Sequence, residues 1–134
     1  MRGVWARRHD HGSAAVEFAL VLPVLLLIIF GIIDFGRMLH AKIILTEAAR
    51  EGARAAAIVD ETSALARIDA VAGTLGPIGI PGGIGGCPDP PDPTDDAIVT
   101  LTHQFQFITP VGVIVGGSDG AVELEATGLM PCLQ

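Results

Sequence analysis

Aromatic residues are scarce in this chain of 134 residues: one Trp, five Phe and no Tyr, 4% in all. A large aromatic-lined pocket is therefore improbable. Basic residues are missing from the whole second half. From Ala70 onward there are seven acids (Asp89, Asp92, Asp95, Asp96, Asp119, Glu123 and Glu125) and no Lys or Arg. Nothing in that half neutralises phosphates, which argues against nucleic acid as a partner. Nucleophiles and bases are equally sparse, since His103 is the one histidine there and the cysteines number two. No nucleophile–base pair or metal cluster assembles from that inventory, so the chain reads as no enzyme, with no cofactor, metal or small-molecule substrate. The acids at 89–96 lack the spacing and terminal Glu of a calcium loop and read as a solvated turn.

What is abundant is apolar sequence. Phe18 to Ile33 is a run of 16 residues without a charge. As a helix it covers about 24 Å, short of a hydrocarbon core of about 30 Å. Adding Ser13 to Glu17 brings the length to about 31 Å, so the span fits a bilayer only by including Glu17. A carboxylate at that depth costs on the order of 2–3 kcal/mol and is rarely kept without a role. Arg2, Arg7 and Arg8 precede the run against a single acid, Asp10. That excess of positive charge keeps the N-terminal end cytoplasmic, so the acidic remainder is exported.

Beyond the span, Asp34, Arg37, His40 and Lys42 mark the exit from lipid, and the helix is expected to continue to about Ala72. Met38, Ala41, Leu45, Ala48, Gly52, Ala55 and Val59 recur at spacings of three and four, forming one stripe of mostly small residues. Such a stripe lets another element approach closely, either the chain's own C-terminal part or neighbouring copies. Glu47 with Arg50 and Glu51 with Arg54 are spaced to pair across a turn. Gly73 to Asp96, rich in Gly and then Pro, reads as an exposed loop. Ala97–Thr109 alternates and is β-branched, which predicts a strand. Val113–Val115 and Ala121–Thr127 predict further short strands. Cys87 and Cys132 both fall on the exported side. In an oxidising compartment a disulfide is the favoured reading over two free thiols, and it would close a loop of about 46 residues.

The fold class is thus α+β: a long transmembrane and amphipathic helix packed on a small antiparallel sheet. The expected organisation is a cytoplasmic leader at 1–12, a transmembrane helix at 13–36 and its amphipathic continuation at 37–72. A Gly/Pro-rich loop at 73–96 and a β-rich exported domain at 97–134 complete it.

The stretch from Arg7 to Phe18 has a basic tail, then Gly12, four small or apolar residues, Glu17 and the apolar run. It resembles the class III signal of type IV prepilins and pseudopilins. That resemblance implies cleavage between Gly12 and Ser13 by a prepilin peptidase, leaving Glu17 as the fifth residue of the mature chain. Two other readings compete: an ordinary secretory signal, and an uncut signal anchor with Glu17 at its edge. Pro23 removes one helical hydrogen bond within the span, where pilin-like helices often carry a proline.

Gly12 to Pro23 (GSAAVEFALVLP), Gly31 to Arg37 (GIIDFGR) and Ala48 to Ala56 (AAREGARAA) resemble TadE-like proteins, pseudopilins of the tight-adherence (Tad) pilus system. Phe107-Ile108-Thr109-Pro110, a proline between late strands, is similar too. The first 60 residues carry this specifically, and the remainder matches only in layout. The resemblance implies a minor pilin-like subunit of pilus assembly, in the inner membrane with its C-terminal part periplasmic. Its partners would be the peptidase, other pilin-like subunits, the inner-membrane Tad assembly proteins and lipid. The reading of another class is an uncleaved, membrane-anchored periplasmic binding module.

Overall fold

A computed structural model describes residues 11–90, 92 and 94–132. The basic tail, with Arg2, Arg7, Arg8 and Asp10, lies outside the described residues. The elements in order are α1 (His11–Ile58), α2 (Glu61–Ala72), β1 (Ile84–Gly85), β2 (Asp96–Gln106), α3 (Val111–Val115) and β3 (Ala121–Pro131). Single 3-10 turns cover Gly73–Leu75 and Gly117–Asp119.

The helix expected to run unbroken to Ala72 divides at Val59–Asp60. Asp60 adopts extended backbone and its carboxylate accepts the Ser63 N–H at 2.7 Å. This is an N-cap, which satisfies an otherwise orphaned donor and starts a new helix in a new direction. α2 then folds back on α1. Gly52 makes this approach possible, because a Cβ there would lie 2.7 Å from Ile68 Cγ1.

The three strands form one antiparallel sheet in the order β1-β2-β3. β2 and β3 pair over their full length, from Asp96 opposite Pro131 to Gln106 opposite Ala121. Alternation sends Ala97, Val99, Leu101 and Phe105 of β2 inward, with Leu124, Ala126 and Gly128 of β3. Ala97 packs with Ala56 and Ala64, and the others lie on Ala41, Leu45, Ala48, Ala49 and Ala53 of α1 and on Ile68 and Ala72 of α2. The opposite face carries solvated pairs such as Thr100–Thr127 and Gln104–Glu123. Cys87 and Cys132 are joined by a disulfide, which ties the loop after β1 to the end of β3.

Three expectations need correction. Val113–Val115 is helical, not a strand: the Thr109, Pro110 and Gly112 carbonyls accept from Gly112, Val113 and Gly116. β-branched residues favour strands only where a neighbouring strand is available to pair. The Gly/Pro loop also has some order. Ile84 and Gly85 pair with Val99 and Ile98, and Gly79 bridges Thr102. Neither Glu47–Arg50 nor Glu51–Arg54 closes an ion pair among the described residues, as expected of exposed pairs that gain little from contact.

The stripe on α1 is used within the subunit. Ala41, Leu45, Ala48 and Gly52 are buried against the sheet and α2, Met38 and Ala55 are half-buried, and Val59 is exposed. The true buried line passes through Ala49, Ala53 and Ala56, because 3.6 residues per turn carry a three–four repeat around the helix.

Candidate functional site

The apolar half of α1 is largely uncovered, and among the described residues only the connection between β2 and β3 comes up against it, at Pro23 to Phe30. Val16, Phe18 and most residues from Leu20 to Ile33 are exposed, and helix α1 is long and apolar enough to cross a membrane. Pro23 sits inside this helix without interrupting it. Its missing N–H leaves the Ala19 carbonyl without its usual donor, a defect that local adjustment accommodates in membrane helices.

Gly12 and Ser13 form the first turn of α1, and a side chain at Gly12 would meet nothing within 4 Å. The Gly12–Ser13 bond is thus open to approach. Glu17 lies one turn further on the same face, since residues four apart are neighbours on a helix. It is exposed, and no hydrogen bond or ion pair reaches it from the described residues. The sequence places Glu17 beside the amine that cleavage would release, and the helix preserves that spacing.

A second acid bounds the apolar run at its other end. Asp34 is fully buried. One carboxylate oxygen accepts the Ile108 N–H and an Arg37 N–H, both at 3.3 Å. The other accepts the Thr109 N–H at 3.0 Å and the Thr109 hydroxyl at 2.6 Å. Arg37 also lies over the Phe105 ring, 5.3 Å from its centroid, and Phe107 meets Phe105 edge-on. Asp34 therefore fastens the end of the β2–β3 hairpin to the helix. Lys42 adds a further tie by donating to the Glu125 carbonyl.

Sequence reasoning took Asp34 for part of a polar exit group and missed this contact. The one available signal was an acid directly after an apolar run with an Arg three residues later. Its principal partner, 75 residues away, carries no mark in one sequence. His103 bonds the Pro77 carbonyl at 3.2 Å through a ring nitrogen, a structural role. Among the described residues no group of three or more His, Cys, Asp or Glu converges.

These features define a class: a helix suited to spanning a membrane, carrying a small disulfide-closed sheet domain clamped along its C-terminal half. The family model of TadE-like proteins matches residues 12–54, so the long helix is similar to that of TadE-like proteins. The match covers the residues from Gly12, the apolar run, Asp34 and most of the buried line of α1, and the similarity suggests a protein related to the Tad pilus. No curated protein and no solved structure matches the chain.

Proposed function

We propose that the chain is a minor pilin-like subunit, a pseudopilin, of a Tad-type pilus assembly system. It is cut by a prepilin peptidase after Gly12 and assembled through its N-terminal helix, and it has no catalytic function of its own. The observation that carries this reading is Glu17: an exposed carboxylate in an apolar helix, unanswered by the described residues, one turn from Gly12–Ser13. Cleavage would place a new α-amine beside it. On assembly the amine, from the same or a neighbouring subunit, neutralises the acid as both enter a water-poor environment, where an unpaired charge is costly.

The assembly face differs from the one the stripe suggested. Since Ala41, Leu45, Ala48 and Gly52 are covered within the subunit, neighbours meet the exposed side of α1 instead. Ile32, Phe35, Leu39 and Ile43 extend the apolar surface past Asp34 on that side. The arginines before the span support a cytoplasmic N-terminus in the inner membrane and a periplasmic sheet domain. The disulfide supports the same side for the head.

Mass determination of the protein isolated from cells tests this. With the system's peptidase present, the chain should begin at Ser13; without it, the arginine-bearing leader should remain. A leader retained in both leaves a membrane-anchored periplasmic module. Glu17→Val should insert normally but fail to assemble, and unaltered assembly would contradict the pairing. Crosslinks to neighbours should form from Leu39 and not from Ala48.

A further inference from the structure

The connection between β2 and β3 has no charged residue from Phe107 to Ser118. It points back along α1 toward the span. Pro110, Val111 and Ile114 line a groove whose opposite wall is Pro23, Leu26, Leu27 and Phe30. Those wall residues lie 4 to 11 positions before Asp34, or about 6–16 Å along the axis. The outer side of the tip is bare: Ile108 is 76% exposed and Ile114 is 78% exposed.

We propose that the tip Ile108–Val115 inserts into the same bilayer that α1 crosses, with acyl chains covering its exposed face. Length decides between lipid and water. If the tip stayed in water, hydrocarbon would have to end before Pro23. That leaves residues 12–22, about 16 Å of helix, for a core of about 30 Å. A span that fills the bilayer necessarily brings the tip with it.

Much of the tip's backbone is prepared for such a place, where unpaired polar groups are costly. Phe107 donates to the Gly120 carbonyl at 3.1 Å, and Ile108 and Thr109 donate to Asp34. Pro110 has no N–H. Gly112 and Val113 donate within the turn, to Thr109 and Pro110. The hairpin would then be a second, shallower anchor fixing the head's rotation about α1. The inference requires only that α1 spans a bilayer, and holds whether or not the leader is cut.

Single-tryptophan variants of the full chain test it in vesicles at high lipid-to-protein ratio. Trp5→Phe supplies the background, and Ile114→Trp reports on the tip, with Val113→Trp as a second reporter. Leu20→Trp marks the span and Leu129→Trp the solvated face of the sheet. Acyl-brominated lipid should quench Ile114→Trp and Leu20→Trp while sparing Leu129→Trp, and acrylamide should quench Ile114→Trp severalfold less than Leu129→Trp. Acrylamide access at both tip reporters equal to that of Leu129→Trp would overturn the proposal. Shielding from both quenchers would also overturn it, showing protein and not lipid as the cover. If Leu20→Trp escapes brominated lipid as well, the membrane span itself fails and the insertion falls with it.

Discussion

Replacing Gly128 with Ala should cost more than its single methyl suggests. Gly128 is at the inward side of β3, where the strand crosses α1. A Cβ there would overlap the Ala49 carbonyl and lie 2.7 Å from the Arg50 nitrogen. Its φ is not positive, so space and not backbone conformation demands glycine. Both neighbours are backbone atoms of a helix, which no rotamer change moves aside. The strand must retreat by about 1 Å, and a gap of that size forfeits up to about half of each dispersion contact across it. The interface at risk holds Leu45, Ala48, Ala53, Leu101 and Ala126. Overpacking costs about 1–3 kcal/mol, and rigid neighbours place this site at the upper end. Restricting the unfolded chain returns about 0.5–1 kcal/mol. The net loss of about 2–2.5 kcal/mol corresponds to a fall in Tm of roughly 8–20 °C for a head of this size. Thermal circular dichroism in detergent, paired with protease resistance of the head, measures it. Leu129→Ala on the outer face should stay within about 0.5 kcal/mol of the parent. A Gly128→Ala protein melting within about 3 °C of the parent, less than 1 kcal/mol, would refute the close approach.

Reducing the Cys87–Cys132 bond, which spans a sequence separation of 45, should destabilise the head by about 4 kcal/mol on loop entropy. Thermal scans with and without reductant measure this. The Asp60 carboxyl is held below its ordinary range chiefly by the Ser63 N–H it accepts. Its contribution is therefore present above the unfolded carboxyl's pKa and lost as pH falls through the lower, folded one. Asp60→Ala should lower Tm at neutral pH and converge with the parent in strong acid, and a constant difference across pH would exclude the charged cap. Gly52→Ala should destabilise by about 1–2 kcal/mol through Ile68, and pairing it with Ile68→Ala should cost less than the sum of the two. Asp34→Asn keeps the shape but loses acceptor capacity toward Thr109. It should expose the β2–β3 connection to protease before the rest of the head unfolds.

The long helix, the strands Ala97–Thr109 and Ala121–Thr127 and the loop between helix and sheet were legible because each follows a local rule. Period, composition and glycine content suffice for them. The errors share one cause, which is that distant partners decide between local options. Val111–Val115 has strand-forming side chains, but with Asp34 holding Ile108 and Thr109 the chain has no strand to join and coils instead. The division at Asp60 was written in the sequence as an N-cap, yet the apolar residues on both sides masked it. The buried face of α1 was found to within a fraction of a turn between Ala41 and Gly52 and lost toward Val59, where α2 turns the packing onto Ala56. Gly128 could not be found at all, since an ordinary φ leaves no trace of what lies above it.

The two acids that bound the apolar run show how one helix holds separate tasks apart. Both stand at the ends of a segment where an unpaired charge is costly, yet among the described residues only the oxygens of Asp34 are occupied. Removing a hydrogen-bonded partner from a buried carboxylate leaves a desolvated charge, so separating the β2–β3 connection from Asp34 is costly. Glu17 is open, and the same physics makes it selective: whatever brings a cation beside it in a dry environment is favoured over every arrangement that does not. A helix with both acids satisfied internally would be an inert anchor, and one with both open would carry a head free to swing. With Asp34 answered within the chain and Glu17 unanswered among the described residues, the sheet domain is fastened to α1 while the N-terminal end of the helix remains able to pair with a cation.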